Sequence, residues 1–401
     1  MSWEYVTLDK LGTISRGRSK HRPRNDKTLF GGKYPFVQTA DVKAAEFYLT
    51  EYTDTYNERG LEQSKLWKAG TLCVTIAANI ADTAILGIDA CFPDSVMGFI
   101  PYDGVSNVKF VKYAFDILQR DCQKISQGTA QDNLSWKKLS TIKFPAPPIE
   151  VQDRIVAILS VYDDLIENNK KQIKLLEEAA QRLYKEWFID LRFPGYGDTP
   201  IIDGVPEGWK KDRADNFFNI TIGKTPPRAE KQWFIDSSSG IPWVSISDMG
   251  NSGTFVLETN EGITNEAVEK HNMKVVPAGT IFVSFKLTVG RVAIATTDMC
   301  TNEAIAHFYI QDDLQRAYTY CYLKNFEYET LGNTSSISKA VNSKIIKGMP
   351  FTMPDEPTIT KFSEYVEPIL NAIGNKQITC AKLKEARDRL LPKLMNGEIE
   401  V

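Results

Sequence analysis

Arginine and lysine are concentrated in one short stretch near the start of this 401-residue sequence. Basic residues alternate there with small or turn-forming ones, and Asp26 is the only acid between Arg16 and Lys27. The basic positions are Arg16, Arg18, Lys20, Arg22 and Arg24. Guanidinium and ammonium groups contact phosphates, and arginine also reads guanine edges, so the stretch is a candidate nucleic-acid contact. The pattern leaves a solvated surface loop open as the alternative.

A thinner basic stretch occurs in the second half of the sequence. Thr221-Ile222-Gly223-Lys224-Thr225 aligns with Ser15-Arg16-Gly17-Arg18-Ser19 at an offset of about 206 residues. The basic residues of this second stretch are Lys224, Arg228 and Lys231. Unequal basic stretches are expected if two copies of one domain recognise different sequences.

Further matches at nearly the same offset indicate that the whole domain is duplicated. Pro242-Trp243-Val244 matches Pro35-Phe36-Val37, and Ala278-Gly279-Thr280 matches Ala69-Gly70-Thr71. A period this long is that of a complete domain and not of a solenoid repeat. Two copies suit a partner with two features a fixed distance apart, and a two-part nucleic-acid site is the leading candidate.

Polar loops at equivalent places in the two halves complete the candidate DNA contacts. Amide side chains read adenine and basic ones contact phosphate, although the same residues are common in ordinary turns, so both interpretations stay open. The additional candidates are Gln38, Asn79, Gln127, Gln131, Lys286, Arg291 and Asn333. Lys286 and Arg291 lie in a stretch that matches the one containing Asn79, and the basic stretch is the better DNA candidate.

No motif for covalent chemistry is complete in this sequence. Gly223-Lys224-Thr225 resembles the end of a phosphate-binding loop, but Phe218 stands where the first glycine is required. The sequence contains no GxGxxG, no GxSxG and no HExxH. Its histidines, His21, His271 and His307, are scattered. We therefore predict no catalytic residue, no metal ligand and no cofactor held by this chain.

Composition and charge limit the class of protein. The hydrophobic fraction is 42%, the charged fraction 25% and the net charge −3, values typical of a soluble globular chain. The apolar stretch from Thr71 to Phe92 is interrupted by Asn79, Asp82 and Asp89, so no membrane span is predicted. Six cysteines without CxxC spacing favour a reducing cytoplasm. A basic patch on a nearly neutral chain suits DNA binding that a second polypeptide completes.

The predicted fold class is α+β, with two duplicated mixed α/β domains and two long helices that pair as an antiparallel coiled coil. The predicted boundaries are 1–149 for the first domain, 150–190 for a central helix, 191–208 for a linker, 209–356 for the second domain and 357–401 for a C-terminal helix. Within the first domain, β-like runs are predicted at Tyr34–Gln38, Thr71–Ala77, Ala84–Gly87 and Val105–Val111.

Both long helices carry a heptad pattern. The predicted seam residues are Ile155, Tyr162, Asn169, Leu176 and Leu183 in the first helix, and Phe362, Ile369, Lys376, Leu383 and Leu390 in the second. Each row has one polar break in its middle, so antiparallel pairing predicts that Asn169 approaches Lys376. Polar seam residues fix register at a cost in stability. Two unrelated helices, each packed on its own domain, are the alternative.

Several runs carry a family resemblance. Leu183–Asp190, the following Leu191-Arg192-Phe193-Pro194-Gly195 and Val205–Trp209 resemble the central region of the specificity subunits of type I restriction–modification systems. Gly128–Leu134, which leads to Phe144–Gln152, is similar to that family's entry into its first conserved helix. The similarity extends from Trp3 to Gly397, but Met349–Pro354 lacks the double proline and Glu-Gln of the first copy.

The resemblance implies two target-recognition domains that each read one half of a bipartite double-stranded DNA sequence. It also implies that the paired helices set the spacing, since about 38 helical residues span roughly 57 Å. The helices would dock two modification (methyltransferase) subunits, which bring S-adenosylmethionine. Restriction (endonuclease and translocase) subunits would bring ATP and Mg. This chain would then be a non-catalytic subunit.

Two other functions remain open from the sequence. One is a single-chain nuclease or methyltransferase fused to its own recognition domains, which the missing motifs argue against. The other is an adaptor or scaffold whose duplicated domains bind protein and not DNA. DNA affinity separates the adaptor from the specificity subunit.

Overall fold

The computed structural model describes residues 3–76, 82–126, 139–331 and 341–401, with the side chains of 120–126 excepted. The chain forms two compact units. The first unit comprises Met1–Ile166 with Lys382–Val401, and the second comprises Glu167–Ala381. Each unit therefore contains a part of both long helices.

The strands of the first unit build three sheets. Its described strands are β1 (Tyr5–Thr7), β2 (Gly12–Arg16), β3 (Phe30–Phe36), β4 (Tyr48–Leu49), β5 (Asp54–Tyr56), β6 (Leu66–Trp67), β7 (Leu72–Thr75), β8 (Thr83–Leu86), β9 (Ala90–Cys91), β10 (Val96–Pro101) and β11 (Lys143–Pro145). The main sheet has the order β2-β10-β7-β8-β4, a second has the order β5-β3-β9-β6, and β1 pairs with β11. In the main sheet only the β4–β8 pair is parallel.

The described α-helices of this domain before the first long helix are α1 (Thr39–Ala44), α2 (Glu58–Glu62) and α3 (Val108–Ser126). The strand predicted over Val105–Val111 is wrong, because α3 begins inside that run. The Asn107 side chain accepts a hydrogen bond from the backbone N–H of Lys109, 2.9 Å away, and so caps the helix. Phe110, Val111 and Ala114 are buried at helical spacing.

The second unit repeats this topology. Its described strands are β12 (Ile201–Ile202), β13 (Val205–Pro206), β14 (Lys210–Arg213), β15 (Ile220–Ile222), β16 (Phe234–Ile235), β17 (Ile241–Val244), β18 (Phe255–Val256), β19 (Glu261–Ile263), β20 (Ile281–Ser284), β21 (Val292–Ala295), β22 (Cys300–Thr301), β23 (Ile305–Phe308) and β24 (Pro350–Met353). Its main sheet, β15-β23-β20-β21-β18, again has one parallel pair, β18 with β21. A second sheet has the order β16-β19-β17-β22.

The intervening helices of the second unit are α5 (Ala214–Phe217), α6 (Ile246–Asn251), α7 (Asn265–Lys270), α8 (Arg316–Asn325) and α9 (Ser343–Lys347), where α4 denotes the long helix Ile149–Tyr184. Helix α4 continues through a π-type turn over Lys185–Ile189. The other long helix is α10 (Glu356–Met395). Gly397 follows it with φ of 73°, a conformation that glycine adopts without strain at a helix end.

Successive side chains of a strand point to opposite faces of its sheet, and along the central strands of both main sheets both sets are buried. In β7 and β8, Leu72, Val74 and Ile85 join one core cluster, whereas Cys73 and Ala84 join another. In β20, Ile281 and Val283 join the largest cluster of the second unit, whereas Phe282 joins a separate one.

The long helices pack against each other within each unit. In the first unit Ile155 and Leu159 share a core with Leu391 and Leu394. In the second unit the rings of Trp187 and Phe362 lie 5.7 Å apart, and Lys376 Nζ lies 3.5 Å from Asn169 Oδ1. Residue numbers thus rise along α4 as they fall along α10. The predicted α+β class with an antiparallel helix pair is confirmed.

The contact between Asn169 and Lys376 that the matched polar breaks predict is present, and the Lys376 ammonium also donates to Gln172. The most buried helix positions lie in the neighbouring heptad row, which includes Leu159, Ile166 and Ala180. Of the predicted seam residues, Ile155 and Phe362 are fully buried. The intermediate ones are Tyr162, Asn169, Leu176, Leu183, Ile369, Lys376, Leu383 and Leu390.

Candidate nucleic-acid interface

A glycine fixes the start of the basic loop in each unit. The N–H of Gly17 donates to Val96 O at 2.8 Å, and the N–H of Gly223 donates to Ile305 O at 3.1 Å. A Cβ on Gly17 would lie 2.4 Å from Phe92 O, and one on Gly223 would lie 2.2 Å from Asn302 O. In both copies the glycine of the Gly-basic motif is thus required by the close approach of two backbones.

In the first unit the basic loop divides into free and restrained residues. Arg16, Arg18 and Lys20 are exposed, and none forms an ion pair with the part of the chain that the structure describes. Arg24 Nη2 donates to both carboxylate oxygens of Asp94, at 2.6 and 2.8 Å. Arg22 donates to the carbonyl of Ser19 at 2.7 Å. The free residues are available for phosphate contacts, whereas the others are held in place.

Beside this loop the first unit has a cavity of about 600 Å³. Arg24 and Lys27 contribute positive charge to its lining, and Phe30 and Phe36 contribute aromatic surface. Gln38 also lines it, and its amide donates to Asp54 Oδ2 at 2.7 Å. A mixed aromatic, amide and basic lining suits a nucleic-acid base and its phosphate.

Asp94 has a counterpart in the second unit. The N–H of Arg18 donates to Phe92 O and the N–H of Lys224 donates to Thr301 O, and the acids Asp94 and Glu303 each follow two residues later. In the second unit the Thr225 hydroxyl donates to the Glu303 carboxylate. Each copy thus sets a carboxylate beside its basic loop, a feature that the sequence motifs do not reveal. Continuing the repeat alignment past Gly279 would have found it.

The Glu303 carboxylate is influenced by two basic residues from different loops, Lys286 and Arg228. Partial burial acts to raise the pKa of the Glu303 carboxyl. The Thr225 hydrogen bond, the backbone, Lys286 and Arg228 outweigh it and lower that pKa below its usual value. Lys286 and Arg228 therefore act on the same carboxylate. This brings together the loop after β15 and the loop after β20, which are far apart in sequence.

Arg228 is the most restrained basic residue of the second loop. Its guanidinium carbon lies 4.1 Å from the centre of the Phe234 ring and 4.6 Å from that of Trp243. The same group donates to both carboxylate oxygens of Glu261, at 2.9 and 2.7 Å. Its side chain is still 52% exposed. Cation–π contacts and the ion pair, in which Nη1 alone donates to both oxygens, hold a charge at the surface in one orientation.

The remaining basic candidates of the second unit differ in exposure. Lys224 is exposed and donates to His271 O at 3.1 Å. Lys231 and Lys286 are also exposed. Arg291 points into the unit and donates to Ile246 O at 2.6 Å, so its guanidinium fastens the loop to α6. Four sequence candidates, Asn79, Gln127, Gln131 and Asn333, lie outside the described residues.

The loop between β20 and β21 holds an aliphatic side chain in water. Leu287 is 92% exposed, more than any other large hydrophobic residue in the described part of the chain. Its φ is +62°, in the left-handed region that leucine rarely adopts. Ser284 braces the loop, because its hydroxyl donates to Thr288 O at 2.5 Å and accepts from the N–H of Arg291 at 3.0 Å.

The histidine on β23 is structural. His307 is fully buried, with its ring nitrogens 2.9 Å from the Thr221 hydroxyl and 2.6 Å from the Thr301 hydroxyl. Burial lowers the pKa of His307 to about 3, so the ring is neutral at physiological pH. Among the described residues no cluster of histidine, cysteine and carboxylate side chains has the arrangement of a metal site. No described helix has the length and apolar character that crossing a bilayer requires.

This chain is similar in sequence to a family of known proteins. The family model of the type I restriction modification DNA specificity domain matches residues 1–178 and 206–384. The chain is 27% identical to the type I restriction enzyme MjaIX specificity subunit of Methanocaldococcus jannaschii, over 100% of this chain and 94% of that one. It is 24% identical to the HindI specificity subunit of Haemophilus influenzae, over 97% and 98%.

A solved structure has the same fold. The type I restriction–modification S subunit from M. genitalium superposes with a TM-score of 0.54 at 17% identity, covering 98% of this chain and 96% of that one. Two matched family segments, relatives aligned over nearly their whole length, and a shared fold agree. The chain belongs to the family of type I restriction–modification DNA specificity proteins.

Proposed function

We propose that this chain is the DNA-sequence-recognition subunit of a type I restriction–modification complex. Each reading domain, residues 1–149 and 209–356, recognises one half of a bipartite duplex sequence. The observation that carries the proposal is the duplicated arrangement of a glycine-fixed basic loop beside a carboxylate, at Arg18 and Asp94 in one copy and at Lys224 and Glu303 in the other. Family membership supplies the DNA as partner.

The two basic loops suit different parts of the task. Exposed Arg16, Arg18 and Lys20 provide phosphate contacts that depend on salt and position the duplex. The restrained guanidiniums of Arg24 and Arg228 keep a fixed orientation, which base-edge recognition in the major groove requires. In each of these two arginines a single terminal nitrogen donates to the carboxylate, which leaves the other N–H donors of the guanidinium for phosphates or bases.

The long helices set the spacing and dock the partner subunits. Helix α4 has 36 residues and α10 has 40, so each is roughly 55–60 Å long. Exposed apolar residues remain on α4, including Val161 and Leu175, which are 54% and 64% exposed. Two methyltransferase subunits bind there and bring S-adenosylmethionine, and restriction subunits bring ATP and Mg. This chain contributes recognition and no bond-making step.

Co-expression with the methyltransferase subunit tests the proposal. Methylated adenines mapped across the host genome are expected to define two short blocks around a fixed gap. Exchanging residues 1–149 for those of another family member is expected to change one block and leave the other and the gap unchanged. A soluble complex that methylates nothing, or that methylates a continuous motif, contradicts the proposal.

A further inference from the structure

The loop from Phe285 to Arg291 is built to expose one leucine. Phe285 is fully buried at its start, and its N–H donates to Ala304 O at 2.9 Å. At its end Gly290 packs on the ring of Tyr328, and the Arg291 guanidinium is fastened to Ile246 O. Between these anchors Leu287 is 92% exposed, and Val289 is exposed to a smaller extent, 40%. The loop is therefore firmly attached on both sides of an unburied aliphatic side chain.

Neither the backbone conformation nor the exposure of Leu287 stabilises the folded state. Its φ of +62° suits glycine or asparagine, and its side chain is 92% exposed, so neither local backbone preference nor burial favours a leucine there. Single exposed apolar residues are common. Leu287 is in addition held in the left-handed region on a loop braced by Ser284, and this combination indicates a role in contact with a partner.

The surroundings of the loop indicate a duplex as the occupant. Lys286 precedes Leu287 and is exposed, and it acts on the same carboxylate, Glu303, as Arg228 does. The loop also begins at Phe285, which is hydrogen-bonded to Ala304 next to Glu303, and the Glu303 carboxylate accepts from Thr225 of the second basic loop, so Leu287 belongs to a loop that starts beside those basic residues. Apolar wedges on basic surfaces insert between base pairs, unstack one step and kink the duplex.

We propose that Leu287 is a wedge that inserts into one base step of the half-site read by residues 209–356. This inference rests on the proposed function and deepens it, because it assigns DNA deformation to a named side chain. Unstacking one step lowers the cost of extruding a nearby adenine into a methyltransferase pocket. It also makes the readable sequence depend on how easily that step opens, with no hydrogen bond to its bases.

The inference is confined to the second unit. The registers of β7 with β8 and of β20 with β21 equate Ala78 with Leu287 in sequence, and residues 77–81 lie outside the described part of the chain. The inference therefore predicts unstacking in one half-site, the one assigned to residues 209–356 by the domain exchange.

The test uses the full chain in complex with its methyltransferase subunits and the duplex defined by methylation mapping. Fluorescent 2-aminopurine or pyrrolocytosine replaces single bases, excluding the adenine that becomes methylated. We expect a fluorescence rise of about twofold or more at one step of the second half-site for the wild-type complex. Leu287→Asn is expected to abolish the fluorescence rise and to weaken binding about tenfold. Leu287→Met is expected to keep the fluorescence rise and the wild-type affinity.

Three controls separate insertion of the wedge from a damaged fold, a general surface effect and a contact with a thymine methyl. Asparagine tolerates the left-handed region, so Leu287→Asn is expected to unfold at an unchanged or higher temperature. Leu314→Asn removes another exposed leucine of the same unit, 40% exposed, and is expected to change neither fluorescence nor affinity. Replacing thymines by uracil is expected to leave the Leu287 effect intact.

Several outcomes overturn the inference. One is the absence of a fluorescence rise in the second half-site although the split methylation motif is normal, and another is a rise confined to the first half-site. A third is an equal loss of affinity from Leu287→Asn and from thymine-to-uracil replacement, which would mean that Leu287 contacts a thymine methyl. Loss of methyltransferase binding in Leu287→Asn also overturns it. Failure of the proposed function has a different signature, because the wild-type complex then yields no split methylation motif at all.

Discussion

In the first unit the long helices carry a buried ion pair, in which Arg387 Nη1 lies 2.5 Å from Asp163 Oδ1. The Tyr113 hydroxyl donates to the other oxygen of Asp163, also at 2.5 Å. The repeat alignment sets Leu370 and Ala180 at the corresponding positions of the second unit, where both are buried in one apolar cluster. A long cation with a short anion in one unit is thus matched by a short and a long apolar side chain in the other.

At corresponding positions of the two helix–domain junctions, the fold therefore accommodates either a buried ion pair or a pair of apolar side chains. Buried ion pairs often contribute no more stability than apolar side chains of equal volume, but they discriminate strongly against wrong partners. In the first unit, a helix register that places any residue other than Arg387 beside Asp163 would leave the buried carboxylate without its cation, so the ion pair favours the observed register. The apolar junction of the second unit relies on shape, with Tyr184, Trp187 and Phe188 filling the space nearby.

Removal of one partner of the buried pair is expected to have the largest effect. Arg387→Ala leaves the Asp163 carboxylate, 1% exposed, without its cation, and is expected to lower the free energy of unfolding by about 3–5 kcal/mol. The double variant Asp163→Leu with Arg387→Ala copies the second unit and is expected to recover part of that loss, because no carboxylate is left buried without a cation, although the Tyr113 hydroxyl loses its acceptor. Urea unfolding of the full chain measures both. A double variant no more stable than Arg387→Ala would show that the apolar pair of the second unit cannot replace the ion pair of the first.

The same junction predicts a pH dependence. Burial raises the pKa of Asp163 despite Tyr113 and Arg387, so the folded state binds the proton more tightly than the unfolded state. The contribution of Asp163 to stability is then greatest below its unfolded pKa and falls as pH rises through its folded pKa. The deficit of Arg387→Ala is expected to shrink at acid pH and to be complete near pH 7.

The buried histidine of the second unit makes stability depend on pH in the opposite direction to Asp163 of the first unit. His307 belongs to the second unit, and burial depresses its pKa to about 3. Between about pH 6.5 and 3 the imidazole of His307 is protonated in the unfolded chain but not in the folded unit. The free energy of unfolding therefore decreases as pH falls through this range, by about 3 kcal/mol at pH 4. Hydrogen exchange is expected to show the second unit opening before the first on acidification. His307→Gln is expected to remove this difference.

The loop glycines are expected to behave alike in both units. Gly17→Ala and Gly223→Ala each force a Cβ to within 2.4 Å of a backbone oxygen, which is expected to cost about 1–3 kcal/mol and to displace the basic loop. Gly197→Ala is the matched control, since no atom lies within 4 Å of its added Cβ. Thermal unfolding and DNA affinity measure the effects. A neutral Gly17→Ala would remove the close-approach argument.

The basic loops are expected to differ in how binding depends on salt. Arg18 is exposed without an ion pair in the described structure, whereas Lys224 is held by His271 O. Arg18→Ala is expected to reduce the slope of log affinity against log salt by about 0.9, the value for one phosphate contact. Lys224→Ala is expected to change the slope less. Titrations of the complex at several salt concentrations measure this, and an unchanged slope for Arg18→Ala would exclude it from the interface.

The contact between the polar breaks of the two helices is expected to have the smallest effect. Asn169→Leu replaces a polar seam residue, and Lys376 keeps its hydrogen bond to Gln172. We expect a rise of a few degrees in melting temperature, corresponding to about 1 kcal/mol. A fall of several degrees would mean that the Asn169–Lys376 contact stabilises the helix pair and does not merely set its register.

Local patterns in the sequence predict the helices and the duplication, because heptads and repeated motifs recur over many residues. The Asn169–Lys376 contact follows from two matched breaks. In contrast, the inward turn of Arg291 depends on α6, and the aromatic support of Arg228 depends on β16 and β17, so neither can be read from neighbours in sequence. The strand predicted over Val105–Val111 failed because a single capping residue, Asn107, outweighs a short β-branched run.

Ribosomal synthesis meets an unusual constraint in this chain. Leu391, Leu394 and Met395 belong to the core of the first unit, yet they are made after the whole second unit. At typical elongation rates this core waits roughly 10–40 s for its last side chains. The second unit, Glu167–Ala381, is complete when its own last residue emerges. The first-made half of the polypeptide is therefore the last to finish folding, and it presents its unfilled helix-binding surface to chaperones and proteases in the meantime.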